Sequence, residues 1–567
     1  MKREYNNTHT NPKMEKSTSG LNIIIRKAVL FGMLALVTFS CTKLERTPVD
    51  AYASGTFFTS KEAALSSLAA VYQYTKMSGF SDDGNTIYND AITDNGYDQF
   101  DNRIPSYIAL GTATPSLKGK YCDLYRTYFA YTGIRNANYF LENIDQVPMD
   151  KEEIAVMKAE VRFLRAFNYA RKMMFFGGVP LVTTVLEFGD ETKIPRSSEA
   201  EITAYVISEL AAIIPTLPIT RSAGENGRIT RGAALALKAR VELFAKDYAN
   251  AAVDSKAVMD LGIYGLSTDY EGLFWEKNQG TENRDQEVIL EVCYSPPTWA
   301  SSIIELYTAP DGDGGYGALS PTQSMVDAYE TANGKAIKDD FTYDADKPYE
   351  NRDPRFYATI IYPGCQWNDR IFNSLEPVGP DEFYNSSQGN RSKTGYGLRK
   401  YCPQMADIPN NEPLWQMGVS FIAIRYSEVL LTYAEALIEQ NTNLSAAIDV
   451  INQVRNRVGM PSLTETDQVG LRNRVRNERR VELAFEGLRW FDMKRWKIAG
   501  QVMNGPVYGV RPGTVNMTTG EVSFSSPNHI TVGDVRLFRE DRDYYFPIPQ
   551  EDIDRNPALQ GNQNPNW

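Results

Sequence analysis

The chain predicts a mainly α protein: a scaffold of helical pairs into which a large, irregular, loop-rich half is inserted. Three observations carry that prediction. Apolar residues recur at three- and four-residue spacing through two separated stretches, residues 59–264 and 421–500. Between them, over residues 265–420, the periodicity vanishes and Pro, Gly, Trp, Tyr and Asn dominate. Helix-start and helix-stop residues bracket the periodic segments. A second irregular region, residues 501–567, closes the chain.

At the N-terminus, Arg26 and Lys27 precede a short apolar run, Ala28–Ser40. A basic lead, a short apolar core and small residues describe a secretory signal over residues 1–40. The run is too short to span a bilayer, which takes about 20 apolar residues. Cys41 follows directly and reads as a lipoprotein site, cleaved before the thiol and then acylated. The product is an exported domain tethered to a membrane by lipid, with residues 41–58 as a polar tether. Several acyl chains hold where one is marginal, at about 0.8 kcal/mol per buried CH₂. Thr38 and Phe39 stand where a lipobox more often has Leu and a small residue, so a plain secretory signal beside a coincidental Cys is the alternative. The long basic lead also offers Met14 as a start.

Thr59 to Glu62 has capping-box spacing, predicting a helix over 62–76. Asp82–Ser106 is rich in Asp, Asn and Gly and reads as a loop. Helices are predicted over 123–144 and 151–176; in the second, Val156, Phe163, Leu164, Phe167 and Ala170 form the apolar face. Gly177, Gly178 and Pro180 stop it. Ser198 and Glu201 form a second capping box, before the stripe Ile202, Tyr205, Val206, Leu210 and Ile213. Thr230 caps a helix over 231–245, a turn follows, and 249–261 returns antiparallel. Such Ala-rich helix–turn–helix pairs resemble tetratricopeptide repeats. Helices resume over 424–440, 443–458, 465–485 and 488–496.

Composition narrows the function. The formal charge is −12, and residues 1–40 hold six Lys/Arg against two Asp/Glu, so an exported form is more acidic still. Nucleic acid is a poor partner for such a chain, because phosphate contacts need clustered Lys/Arg. Only two His occur, His9 and His529, and His9 lies ahead of the signal. One remaining His argues against Ser–His or Cys–His catalysis and excludes a multi-His metal site. Beyond Cys41 stand Cys122, Cys293, Cys365 and Cys402, spaced too widely for a metal knuckle. An exported compartment permits disulfides, but the sequence does not choose among three pairings or free thiols.

Several blocks resemble the SusD/RagB family of outer-membrane nutrient-binding lipoproteins of Bacteroidota. They are Lys158–Val182, Ser320–Glu330, Asn351–Phe356, Arg425–Glu439 and Asn477–Trp496, closed by Tyr545–Pro549, Asn556-Pro557 and Gln563-Asn564-Pro565. The resemblance implies four tetratricopeptide-like pairs carrying an irregular ligand face. It also implies a surface lipoprotein that captures an oligosaccharide and acts as the hinged lid of a SusC-like TonB-dependent transporter, without being an enzyme. Some members carry peptide cargo instead. A lipid-anchored glycoside hydrolase is the reading from a different class, since two carboxylates about 5–10 Å apart would suffice, but no motif singles out a pair. A purely adhesive surface protein is a third.

The candidate ligand-binding residues are aromatics in the loops: Trp299, Tyr316 and Tyr97 first, then Tyr88, Tyr307, Trp367 and Trp415, with Phe100 beside Tyr97. A sugar ring offers an apolar C–H face to a flat side chain, and Asn, Asp, Gln and Arg answer its hydroxyls. One such platform contributes on the order of 1–2 kcal/mol, so useful affinity takes two or three. Asp90, Asp94 and Asp98 are closely spaced carboxylates of the kind that hold calcium, although the closing Glu of an EF-hand is missing. Gly312 to Gly317 spells a dinucleotide fingerprint without the strand and helix that motif requires. In Asn477–Trp496, Val481, Ala484, Phe485, Leu488 and Phe491 form a buried stripe, and the charges read as exposed pairs contributing about 0.2–0.5 kcal/mol each.

Overall fold

The computed structural model describes residues 58–75, 86–100, 103–118, 124–186, 193–295, 304–377, 379–381, 391–402, 404–408 and 413–567. The signal, Cys41 and the tether up to residue 57 lie outside the described residues, as do Cys122 and Trp299.

The scaffold helices are α1 (Lys61–Thr75), α2 (Thr132–Asn143), α3 (Lys151–Phe176), α4 (Glu199–Ile213), α5 (Arg231–Phe244) and α6 (Tyr248–Asp260). A short helix in the irregular half, α7 (Ile304–Thr308), separates them from α8 (Tyr426–Gln440), α9 (Leu444–Arg457), α10 (Gln468–Glu482) and α11 (Arg489–Trp496). Four pairs form, α1 with α2, α3 with α4, α5 with α6 and α8 with α9, and each leans on the next. Local signals explain the boundaries. Asp150 accepts from the N–H groups of Glu152 and Glu153 at the start of α3, and Gly177 takes a positive φ of 74° after its end. Ser198 and Glu201 make the reciprocal capping box of α4. α1 opens at Lys61, one residue before the expected start, with the Ser60 hydroxyl accepting from Ala63 N.

The single helix expected over 123–144 is broken into Leu124–Phe129 and α2. The buried Lys172 ammonium takes the carbonyls of Tyr128 (2.8 Å) and Ala130 (2.6 Å), which a continuous helix would use internally. A strand, Phe421–Arg425, stands where helix was expected from residue 424.

Strands pair only in twos among the described residues. The pairs that matter here join β1 (Gly96–Asp98) to β3 (Leu319–Pro321), β2 (Val288–Val292) to β4 (Phe421–Arg425), and β5 (Gly505–Tyr508) to β6 (Thr531–Arg536), all antiparallel.

The charges of α10 and α11 correct the surface-pair reading. Glu478, Arg479, Glu482, Glu486 and Arg489 are buried, with partners far away in sequence. Glu482 accepts from Arg425 (2.6 Å), Arg457 (2.5 Å) and Arg355 (3.0 Å), and Glu486 accepts from Arg425 and Lys400. Burial opposes ionisation of Glu482, but the Arg457, Arg425 and Arg355 guanidiniums overcome it and hold the carboxyl well below the usual range. This network ties the helical scaffold to the irregular half. Among the described residues, Cys293 is exposed and Cys365 and Cys402 are buried.

Candidate functional site

The β1–β3 pair brings together two loops more than 200 residues apart in sequence, placing Tyr97 opposite Ser320 and Asp98 opposite Leu319. Gln99 extends the join, donating its N–H to Ala318 O (3.0 Å) and its amide to Tyr316 O (2.5 Å). The second loop folds back on α7: Tyr316 N reaches Leu306 O and Ala318 N reaches Tyr307 O, both at 2.7 Å. Only glycine serves at Gly315, where a Cβ would stand 2.2 Å from Ala309 O.

An aromatic cluster closes around one cation. Tyr88 and Tyr307 meet edge to face at 5.9 Å, Tyr307 and Tyr316 at 5.3 Å, and Phe100 and Tyr316 at 6.4 Å. The Arg103 guanidinium lies 3.8 Å from the Phe100 ring centroid and 4.8 Å from that of Tyr307, and donates to Tyr88 OH at 2.9 Å. Tyr88 and Tyr307 are buried and form the floor. Phe100 and Tyr316 are partly exposed and form the rim. A desolvated cation over a ring contributes up to about 2 kcal/mol, so the rim is held from beneath.

Tyr97 does not join them. Strand alternation turns it away from Asp98, and its hydroxyl packs against Gly533 of β6, with Arg536 over its ring at 5.9 Å. Trp367 is corrected from ligand platform to core residue. It is 1% exposed and sits among Cys365, Phe372, Cys402, Leu414 and Met417. Its indole N–H donates to Asp313 at 2.6 Å, behind the rim loop. Trp415 is 56% exposed on a turn packed against α7.

The acids expected to hold calcium are engaged separately. Asp90 accepts from Asn95, Phe485 N and Gly487 N, and burial pushes its carboxyl up to about 6. Burial acts the same way on Asp94, but Arg480 and Arg489, each at 2.9 Å, outweigh it and hold that carboxyl down at about 2. Asp98 accepts from Phe100 N and lies 3.9 Å from Arg103. The Arg536 guanidinium gathers the carbonyls of Ala91, Thr93 and Gly96. The loop's carbonyl oxygens are thus engaged by a guanidinium, and among the described residues no three His, Cys, Asp or Glu side chains converge on one point.

Sequence reasoning missed Arg103 and a clamp on the rim loop. Asp313 accepts from Arg370 (2.6 Å), Trp367 and Asn368 (3.2 Å), while Asp381 accepts from Arg370 (3.0 Å) and from Gly312 N (3.3 Å). The one signal available was a run of Gly and Asp that has no reason to be ordered unless another segment holds it. His529 lies elsewhere, its Nδ1 on Gly509 O. Two cavities also lie apart from the cluster. One, of about 60 Å³, is lined by Phe167, Arg171 and Phe491. The other, about 320 Å³, is a cleft among Arg196, Lys497 and Tyr545.

Residues 271–567 match the model of the SusD family, and residues 58–243 match a SusD-like model described as starch-binding and associating with the outer membrane. The chain belongs to the SusD family. A SusD-like carbohydrate-binding protein from Bacteroides fragilis superposes with a TM-score of 0.77 at 30% identity, covering 89% of this chain and 100% of that one. SusD-like protein P2 from Formosa agariphila is 27% identical over 77% of this chain and 79% of its own length. A SusD-like protein from Bacteroides ovatus is 23% identical over 94% and 97%. No helix among the described residues of this SusD-family chain is long and apolar enough to cross a membrane.

Proposed function

We propose that this SusD-family protein is a lipid-anchored, outer-membrane glycan-binding protein that captures oligosaccharides and serves as the lid of a SusC-like TonB-dependent transporter. It grips cargo and does not transform it. The observation that carries the reading is the Phe100–Tyr316 rim over the Tyr88–Arg103–Tyr307 floor. Two partly open aromatic faces, fixed from below, suit the C–H face of a sugar ring at low ordering cost. Family membership and the carbohydrate-binding description of the Bacteroides fragilis relative support the same class of ligand. Acylation at Cys41 supplies the membrane anchor, and a tether raises the effective concentration of captured ligand at a transporter mouth. No metal or cofactor enters this mechanism.

Affinity electrophoresis against starch, laminarin, xylan, pectin and mannan tests the binding. Retardation by at least one polysaccharide, lost in Tyr316→Ala, is expected. Assaying the same mixtures for new reducing ends separates capture from hydrolysis, and turnover would replace this reading with the hydrolase. Detergent extraction of a tagged protein is expected to bring down an outer-membrane barrel. Retention of peptides without any glycan would keep the lid role and change the cargo.

A further inference from the structure

We infer that the site reads an oligosaccharide along its length, with Trp415 as a second stacking station on the opposite flank of α7 from Phe100 and Tyr316. The inference rests on the carbohydrate-binding reading above and names what that reading leaves open, the size of the ligand. An isolated exposed aromatic is ordinary; what singles out Trp415 is how it is held and what it flanks.

α7 sends Tyr307 into the aromatic cluster and Glu305 the other way, because two residues along a helix rotate the side chain by roughly 200°. On that second side, Glu305 accepts the N–H of Val419 at 3.2 Å, and the turn Leu414–Gln416 packs on the helix. Leu414 and Met417 are buried in the satellite cluster with Ala309, Trp367 and Phe372. The two residues between them therefore face outward, Trp415 at 56% exposure with Gln416 exposed beside it. The chain just beyond is fixed. Gly418 N donates to Glu276 at 2.9 Å, Gln279 donates to Gly418 O at 3.1 Å, and Ser420 N donates to Gln279 at 2.6 Å. The indole is thus presented on a turn anchored at both ends, with little freedom left to lose on binding.

Leu306 connects the two stations. It is partly exposed and packs against both the main aromatic core and the satellite cluster. A helix with its side chains is about 10–12 Å across, so stations on its two flanks stand on the order of 10 Å apart. A single pyranose ring cannot touch both, whereas a linear oligomer laid across α7 can. Gln416 offers an amide to hydroxyls at the second station.

The test uses a ladder from disaccharide to heptasaccharide, prepared by partial hydrolysis of whichever polysaccharide retards the wild-type protein. Full-length mature protein is titrated calorimetrically as wild type, Trp415→Ala, Trp415→Phe and Tyr316→Ala. Wild-type affinity is expected to climb at least tenfold from disaccharide to hexasaccharide. Trp415→Ala flattens the climb while keeping disaccharide affinity within twofold, Trp415→Phe restores most of it, and Tyr316→Ala weakens binding at every length. Matching melting temperatures confirm that the surface variants fold. A full climb in Trp415→Ala overturns the second station and leaves carbohydrate binding intact. Failure of every polysaccharide to retard the wild-type protein removes both.

Discussion

Replacing Arg370 by Ala should release the rim loop without unfolding the protein. Its guanidinium bridges two carboxylates whose side chains are 4% and 2% exposed, those of Asp313 and Asp381, and is itself 21% exposed. Removing one partner of a buried ion pair costs about 3–5 kcal/mol. Solvent contact at Arg370 lowers that figure, and so do the surviving donors, since Asp313 keeps Trp367 and Asn368 and Asp381 keeps Gly312 N. An expected loss of about 2 kcal/mol follows. It falls on a loop in which Gly312, Gly314, Gly315 and Gly317 carry high conformational entropy when free. The ligand must then restore the order, so affinity drops by roughly thirtyfold. Hydrogen exchange over residues 309–317 should accelerate in the free variant and recover on saturation with ligand, while exchange in α3 and α8 stays unchanged. Arg370→Lys should recover only part of the protection, because an ammonium cannot reproduce the two bidentate pairs that the guanidinium makes with Asp313 and Asp381. Unaltered exchange in the loop of Arg370→Ala would refute the clamp.

Tyr316→Ala removes one platform, which at about 1–2 kcal/mol predicts a roughly tenfold weaker Kd with a melting temperature close to wild type, read by calorimetry and thermal scanning. Glu482→Gln leaves Arg355, Arg425 and Arg457 without their shared counter-charge, and urea unfolding should show about 3–5 kcal/mol lost. Asp94, held at about 2 by its arginines against the cost of burial, contributes stability that is full above the ordinary carboxylate value near 4 and is lost as pH falls toward 2; Asp94→Asn should flatten the acid limb of a stability–pH curve by about 2 kcal/mol. Asp90, raised to about 6 by burial, acts with the opposite sign, its contribution present below pH 4 and lost as pH rises through 6, so Asp90→Asn should flatten that second limb. Chelator should leave the melting temperature unmoved, and a calcium-dependent rise would return the acidic loop to metal binding.

The scaffold was legible because its signals are local. The 26-residue α3 begins and ends where Asp150, Gly177 and the apolar face place it, and α4 carries the capping box that Ser198 and Glu201 announce. What failed locally failed for distant reasons. Lys172 broke the helix before α2 by reaching carbonyls more than 40 residues away. The charges of α10 looked like surface pairs because their spacing fits a surface pair, yet their partners Arg355 and Arg425 lie in segments that only the tertiary fold brings near. Three- and four-residue spacing establishes that two side chains share a helix face; it does not establish whether that face meets water.

The same distinction governs the site. Residue type offered flat rings in loops far apart in sequence, and the structure packs Tyr88 and Phe100 against Tyr307 and Tyr316. Depth then divided those rings into rim and floor, and depth is a property of what covers a residue, which no window of sequence contains. Trp367 illustrates the cost: by type it is a strong sugar platform, yet it is buried and acts on the rim through its bond to Asp313. Asp90, Asp94 and Asp98 illustrate the converse, since acids gathered in one loop invite a cation and the cations were already in the chain. Arg480 and Arg489 pair with Asp94, Arg103 lies beside Asp98, and Arg536 takes the loop carbonyls of Ala91, Thr93 and Gly96. Paired in this way, the acidic loop is braced by arginines of the same chain.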